Sequence, residues 1–167
     1  VRNALPVDSD IEIDDSREVP APRRFRWPDA GFVFLGGVIG TAFREALTLT
    51  IPTVAGVPVV TLGINVVGAF FLGVLLETLL RHGNAENVRR VERLFFGTGM
   101  LGGFTTYSAL ATEAALLIGA DRPSMSVAYL TGTVVLGAVA TWAGIAWAAG
   151  RNKRKTVSKS VAMRADD

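Results

Sequence analysis

Gly97-Thr98-Gly99-Met100-Leu101-Gly102-Gly103-Phe104-Thr105-Thr106-Tyr107-Ser108 is the stretch whose reading decides the fold. It lies inside a run, residues 94–112, that contains no Asp, Glu, Lys or Arg. Closely spaced glycines and β-branched threonines lower helix propensity, and Ser or Thr hydroxyls can satisfy backbone groups that a helix releases. The stretch therefore predicts an apolar span whose helix breaks between Gly102 and Thr106, in the middle of a membrane. Such breaks persist in a bilayer only where protein buries them or a wet cavity reaches them. Half-helix ends then offer carbonyls to a cation and N–H groups to an anion. A packed kink holding no ion is the alternative that composition leaves open.

The rest of the 167-residue chain fits a small membrane protein. Residues 46–76 and 123–150 are also free of charge, and Ala30 to Phe43 carries 14 uncharged residues before Arg44 and Glu45. About 20 apolar residues cross a hydrocarbon layer of ~30 Å. Four helices follow, over 30–51, 58–80, 92–118 and 124–149. Pro52, Gly56 and Pro58 mark the first turn, Arg81-His82-Gly83-Asn84 the second, and Gly119 to Pro123 the third. The spans are too long and too uniformly apolar for barrel strands, so the fold class is an all-α membrane protein. Gly36 and Gly40 form a GxxxG pair, and Gly63, Gly68 and Gly73 punctuate the second span, which predicts close helix packing.

This pattern excludes a soluble enzyme. No Ser-His-Asp arrangement, phosphate loop or metal-spaced cluster is present, His82 stands in a polar loop, and the absence of Cys removes thiolate chemistry. Residues 1–29 hold five Arg, seven Asp or Glu and four Pro, without the apolar run of a secretory leader, and read as a disordered tail. The channel domain is then 30–149. Residues 150–167 read as a basic tail near anionic lipid rather than a nucleic-acid arm.

With four spans, both tails and the middle loop share one side. They hold 15 of the 17 basic residues; only Arg44 and Arg122 lie elsewhere. That bias predicts a multi-pass protein of the cell membrane with cytoplasmic termini.

Polar groups inside the spans are the candidates for function. Asn65 is either interhelical glue or an amide that faces an anion; spacing does not separate the two. Glu77, within a turn of the loop, is expected to snorkel to the interface. Glu113, five residues after Ser108, is a candidate proton-coupling carboxylate. Arg44 reads as a topogenic charge.

Three motifs together resemble the Fluc/CrcB family of fluoride channels: Gly36-Gly37-x-x-Gly40-x-x-x-Arg44, Gly63-x-Asn65-x-x-Gly68, and Gly102-Gly103-Phe104-Thr105-Thr106-Tyr107-Ser108. The resemblance covers about residues 31–149. It implies an antiparallel dimer of four-helix subunits with two fluoride pores and a structural sodium ion at the interface. Sodium would be held by the carbonyl oxygens of Gly102 and Thr105. Asn65 would be the pore amide, and Tyr107 and Leu110 stand where the family has two phenylalanines. Ser108 would belong to a hydroxyl track, Glu113 matches an acidic position, and Tyr129 aligns with a pore-side tyrosine.

The implied function is passive fluoride export that relieves fluoride toxicity. Two features depart from the pattern. Leu110 lacks a ring edge, and the charge bias opposes insertion in both orientations. Both point to a dimer with an oppositely oriented paralogue. A small proton-coupled exporter of cationic compounds is the alternative, although the first span offers that chemistry only Glu45, beside Arg44.

Overall fold

A computed structural model describes residues 26–54, 56–81 and 86–165, with side chains to Arg151. The expectations for residues 1–25, His82 and the rest of 82–85 lie outside the described residues. The described chain is helical, with no strand beyond a single bridge between Val54 and Val57. Helix α1 is Trp27–Thr50 and α2 is Val59–Arg81. Helix α3 occupies residues 86–104: α-helical over Glu86–Glu92, π-helical over Arg93–Leu101, and α-helical again over Gly102–Phe104. Helix α4 is Tyr107–Gly119 and α5 is Pro123–Ala165.

The boundaries have local causes. Pro28 and Asp29 stand in the first turn of α1, where a missing N–H is harmless and an acid meets the positive helix end. The helix therefore starts inside the stretch expected to be tail. Ile51 is extended (φ −102°, ψ 115°) because Pro52 follows and disfavours helical geometry before it. Gly56 takes a left-handed φ of +75° in the turn closed by the paired Val54 and Val57 peptides. At the other end, α5 continues without interruption through residues expected to form the basic tail.

Three helices are long and apolar enough to cross a membrane: Trp27–Thr50, Val59–Arg81 and Pro123–Arg151. The remaining passage is α3 followed by α4, and the 13 residues of α4 fall short of a full crossing. The chain is thus a multi-pass membrane protein built on four helical passages.

Glycines set the packing. Helix α1 lies on α3 so closely that a Cβ on Gly36 would meet the Met100 nitrogen at 2.8 Å, and one on Gly40 the Phe104 nitrogen at 2.8 Å. From the other side, a Cβ on Gly99 would reach the Val33 oxygen at 2.7 Å and one on Gly103 the Gly37 oxygen at 2.6 Å. Backbone faces backbone along this seam. A second seam joins α2 to α5, where Gly73 abuts the Thr141 carbonyl and Gly144 the Phe70 carbonyl. Gly63 departs from the expected pattern: a Cβ there meets nothing within 4 Å. Helix α4 rests on α5 through a small core of Leu110, Leu117 and Tyr129, pinned by Ser126 Oγ donating to the Ala114 carbonyl at 2.8 Å.

Little else is buried. Phe34, Phe43, Phe71 and Trp142 are each more than half exposed, a surface suited to lipid or to another subunit.

The seams make a direct prediction. Gly40→Val forces the α1 and α3 backbones apart and should destabilise the subunit by ~3 kcal/mol. Gly63→Ala should leave it unchanged. Thermal melting of the two purified variants in detergent separates these outcomes.

Candidate functional site

Between α3 and α4 the chain leaves helical geometry for two residues. Thr105 has φ −78° and ψ 155°, and Thr106 has φ −148° and ψ 124°. The Thr105 N–H still bonds the Leu101 carbonyl at 2.9 Å, and the Thr105 hydroxyl donates to the same oxygen at 2.9 Å. The next peptide does not continue the ladder. A helix would take the Thr106 N–H back to the Gly102 carbonyl.

Instead, that N–H goes to Asn65 Oδ1 at 2.8 Å. Asn65 Nδ2 donates in return to the Thr106 carbonyl at 3.0 Å. One side-chain amide from α2 thus pairs both ways with one peptide, as a neighbouring strand would. Beyond it, Thr106 Oγ1 accepts the Ala109 N–H at 3.2 Å and caps α4.

These contacts decide what spacing left open for Asn65. Its carbonyl oxygen and one N–H are committed to the peptide at Thr106, so the residue joins α2 to the α3–α4 junction. The second N–H of the amide is the group left to act on anything else. The junction is braced from two further directions. Thr41 Oγ1 of α1 donates to the Gly103 carbonyl at 3.4 Å, and the Thr105 methyl group presses on Gly68 of α2.

A second polar cluster lies further along α4. Glu113 Oε1 accepts from Thr61 Oγ1 at 2.7 Å, and Oε2 accepts from Tyr129 Oη at 2.6 Å. Three helices converge on one carboxylate, whose two oxygens are both held by neutral donors. Tyr129 is buried, and its hydroxyl also lies 3.3 Å from the Pro58 carbonyl. Sequence reasoning missed Thr61. The signal was available: Thr61 and Asn65 are four apart on α2, hence on one face of an otherwise apolar helix. The partnership with Glu113 was not readable, because 52 residues separate the two.

The remaining candidates divide between outside and inside. Tyr107 is 81% exposed, and Ser108 is exposed with its hydroxyl 3.2 Å from that of Thr106. Leu110 does not join Tyr107 on that outer face. It is buried against Leu117 and Tyr129, where an isobutyl group gains more from packing than from exposure. Glu77 also differs from expectation. It is buried and paired with Arg81 one turn on, so its charge is met inside the protein rather than by reaching the interface. Among the described residues, no group of three His, Cys, Asp or Glu side chains could hold a metal. Carbonyls are the oxygen donors at the junction.

Removing the Asn65 amide leaves both Thr106 peptide groups unpaired. Asn65→Ala should therefore lower subunit stability by ~2 kcal/mol. Thr105→Ser keeps the hydroxyl that bonds Leu101 and should change stability by less than ~1 kcal/mol. Thermal unfolding of both variants checks the contrast.

Comparison with known proteins gives this geometry a family. The model described as "CrcB-like protein, Camphor Resistance (CrcB)" matches residues 31–145, which hold both polar clusters. "Fluoride-specific ion channel FluC 2" of Leifsonia xyli subsp. xyli is 50% identical over 126 residues, covering 75% of this chain and 87% of the relative. "Fluoride-specific ion channel FluC 1" of Cutibacterium acnes is 49% identical over 117 residues, covering 70% and 82%. A third relative, "Fluoride-specific ion channel FluC 1" of Streptomyces coelicolor, is 40% identical over 136 residues, covering 78% and 86%. On the extent of these matches, the chain belongs to the CrcB-like family and is not an enzyme.

Proposed function

We propose that this chain is a fluoride-selective channel that lets fluoride leave the cytoplasm passively across the cell membrane. The observation that carries this reading is the Thr106 peptide drawn away from its helix by Asn65, in a chain whose relatives are named fluoride-specific channels. Fluoride is small and tightly hydrated, so a pore must replace its water with hydrogen-bond donors at close quarters. The second Asn65 N–H, the Thr106 and Ser108 hydroxyls and the ring edge of Tyr107 supply such donors. Glu113, held by Thr61 and Tyr129, orders the wall behind them, and Leu110 fills the space beneath Tyr129. Hydrogen fluoride enters as a neutral acid and dissociates inside. A negative membrane potential then favours anion exit by ~2.3 kcal/mol per charge per 100 mV.

The working unit in this reading is an antiparallel dimer, in which the outward Tyr107–Ser108 face meets a second subunit. A sodium ion fits the junction chemically: sodium is a hard cation that prefers oxygen, and the Gly102 carbonyl has lost the N–H a continuing helix would bring. Gly102 and Thr105 carbonyls would hold it, and its charge would brace the interface without being transported. The charge bias sets both termini in the cytoplasm, so the second subunit is an oppositely oriented paralogue.

Fluoride efflux from proteoliposomes, with sodium replaced by a larger cation in parallel, tests the reading. Fluoride release that falls when sodium is removed is expected when both subunit types are reconstituted together. Proton-gradient-dependent transport without fluoride conductance would overturn it. Robust efflux from vesicles holding this chain alone would overturn only the need for a partner.

A further inference from the structure

A recess of about 340 Å³ opens where the end of α2 meets the start of α3. Leu76, Leu79 and Leu80 form its apolar wall, and Arg89, Arg90 and Arg93 face them from α3. The three guanidinium groups are not equivalent. Arg90 is paired with Asp29 at the start of α1. Arg89 and Arg93 form no salt bridge among the described residues, and both are exposed.

Arg89 and Arg93 are four residues apart, so two like charges sit one above the other on a helix face and repel. An anion bridging them removes that repulsion. Guanidinium groups suit phosphate oxygens in particular, because their paired N–H donors match the geometry. Glu86, on the rim, offsets one positive charge and leaves the recess cationic.

The wall says what else the ligand carries. A free anion has no use for three leucines, and Leu80 is 80% exposed beside the arginines. The recess lies at the end of a membrane-crossing helix, on the side where 15 of 17 basic residues gather. An amphipathic anion at that level is a lipid of the inner leaflet. We propose that this recess binds an anionic glycerophospholipid, with its phosphodiester on Arg89 and Arg93 and an acyl chain along Leu76, Leu79 and Leu80. The site is independent of which ion the protein conducts. Through Arg90 and Asp29 it also touches the start of α1, so an occupied recess ties α1, α2 and α3 together at one end.

Native mass spectrometry of the full chain in detergent tests this with dioleoylphosphatidylglycerol and dioleoylphosphatidylcholine. Retention of one phosphatidylglycerol per subunit, in preference to phosphatidylcholine, is expected. R89Q/R93Q should weaken that retention about thirtyfold, and R89K/R93K should keep most of it. Equal retention of the two lipids overturns the proposal without recourse to any variant. So does unchanged phosphatidylglycerol binding by R89Q/R93Q. Displacement of the lipid by millimolar inorganic phosphate would mean a plain anion site and would overturn the lipid assignment. Phosphatidylglycerol binding that appears only after removal of residues 1–25 would identify the acidic N-terminal segment as the occupant instead.

Discussion

A peptide group away from water must be hydrogen-bonded, and this requirement governs the centre of the molecule. At Thr106 the helix does not meet it. Asn65 does, by presenting to one peptide the same donor and acceptor that a strand would. An unpaired buried donor or acceptor costs about 1–3 kcal/mol, so the extended pair at Thr105 and Thr106 exists only while Asn65 is in place. The position of Asn65 depends in turn on α2 being fixed. The carbonyls of Thr141 and Phe70 against Gly73 and Gly144 fix it to α5.

The two glycine seams explain how so thin a subunit holds a defined shape. In lipid, apolar contact between helices brings no transfer from water, and close backbone approach with good packing carries the association. Helix α1 is held to α3 at Gly36, Gly40, Gly99 and Gly103, and α2 to α5 at Gly73 and Gly144. The α3–α4 junction lies between these pairs. It receives Asn65 from α2 and Thr41 from α1, so each seam delivers one polar side chain to the same short stretch of backbone. The broad apolar exterior, with Phe34, Phe71 and Trp142 outward, is the complement of that narrow interior.

Long-range partners separate what was legible in the sequence from what was not. Charge-free runs and turn residues located four helical passages to within a few residues at most ends, because hydrocarbon thickness imposes a length and Pro imposes a stop. The start of α1 at Trp27 was masked by the charged residues around it, and α5 runs on because polar residues do not end a helix by themselves. The mixture of Gly and Thr marked residues 102–106 as weak helix, but the partner of the Thr106 peptide could not be read from 41 residues away. Leu110 was placed by alignment with an aromatic position, and its own chemistry took it inward. Gly63 looked like Gly68 and Gly73 in the sequence; only the third dimension shows that no neighbour approaches it.

The π-helical turns over Arg93–Leu101 have a consequence of another kind. Bonding from the Gly102 nitrogen back to the Gly97 oxygen accommodates an additional residue relative to ordinary helical winding. Deleting any one residue of this segment would tighten the winding and rotate all that follows by about 100°. Gly103 would swing off Gly37, and Thr106 would lose Asn65. Insertions and deletions are thereby barred from these nine residues, while side-chain exchange at outward positions such as Phe96 and Thr98 leaves the phase of the helix untouched.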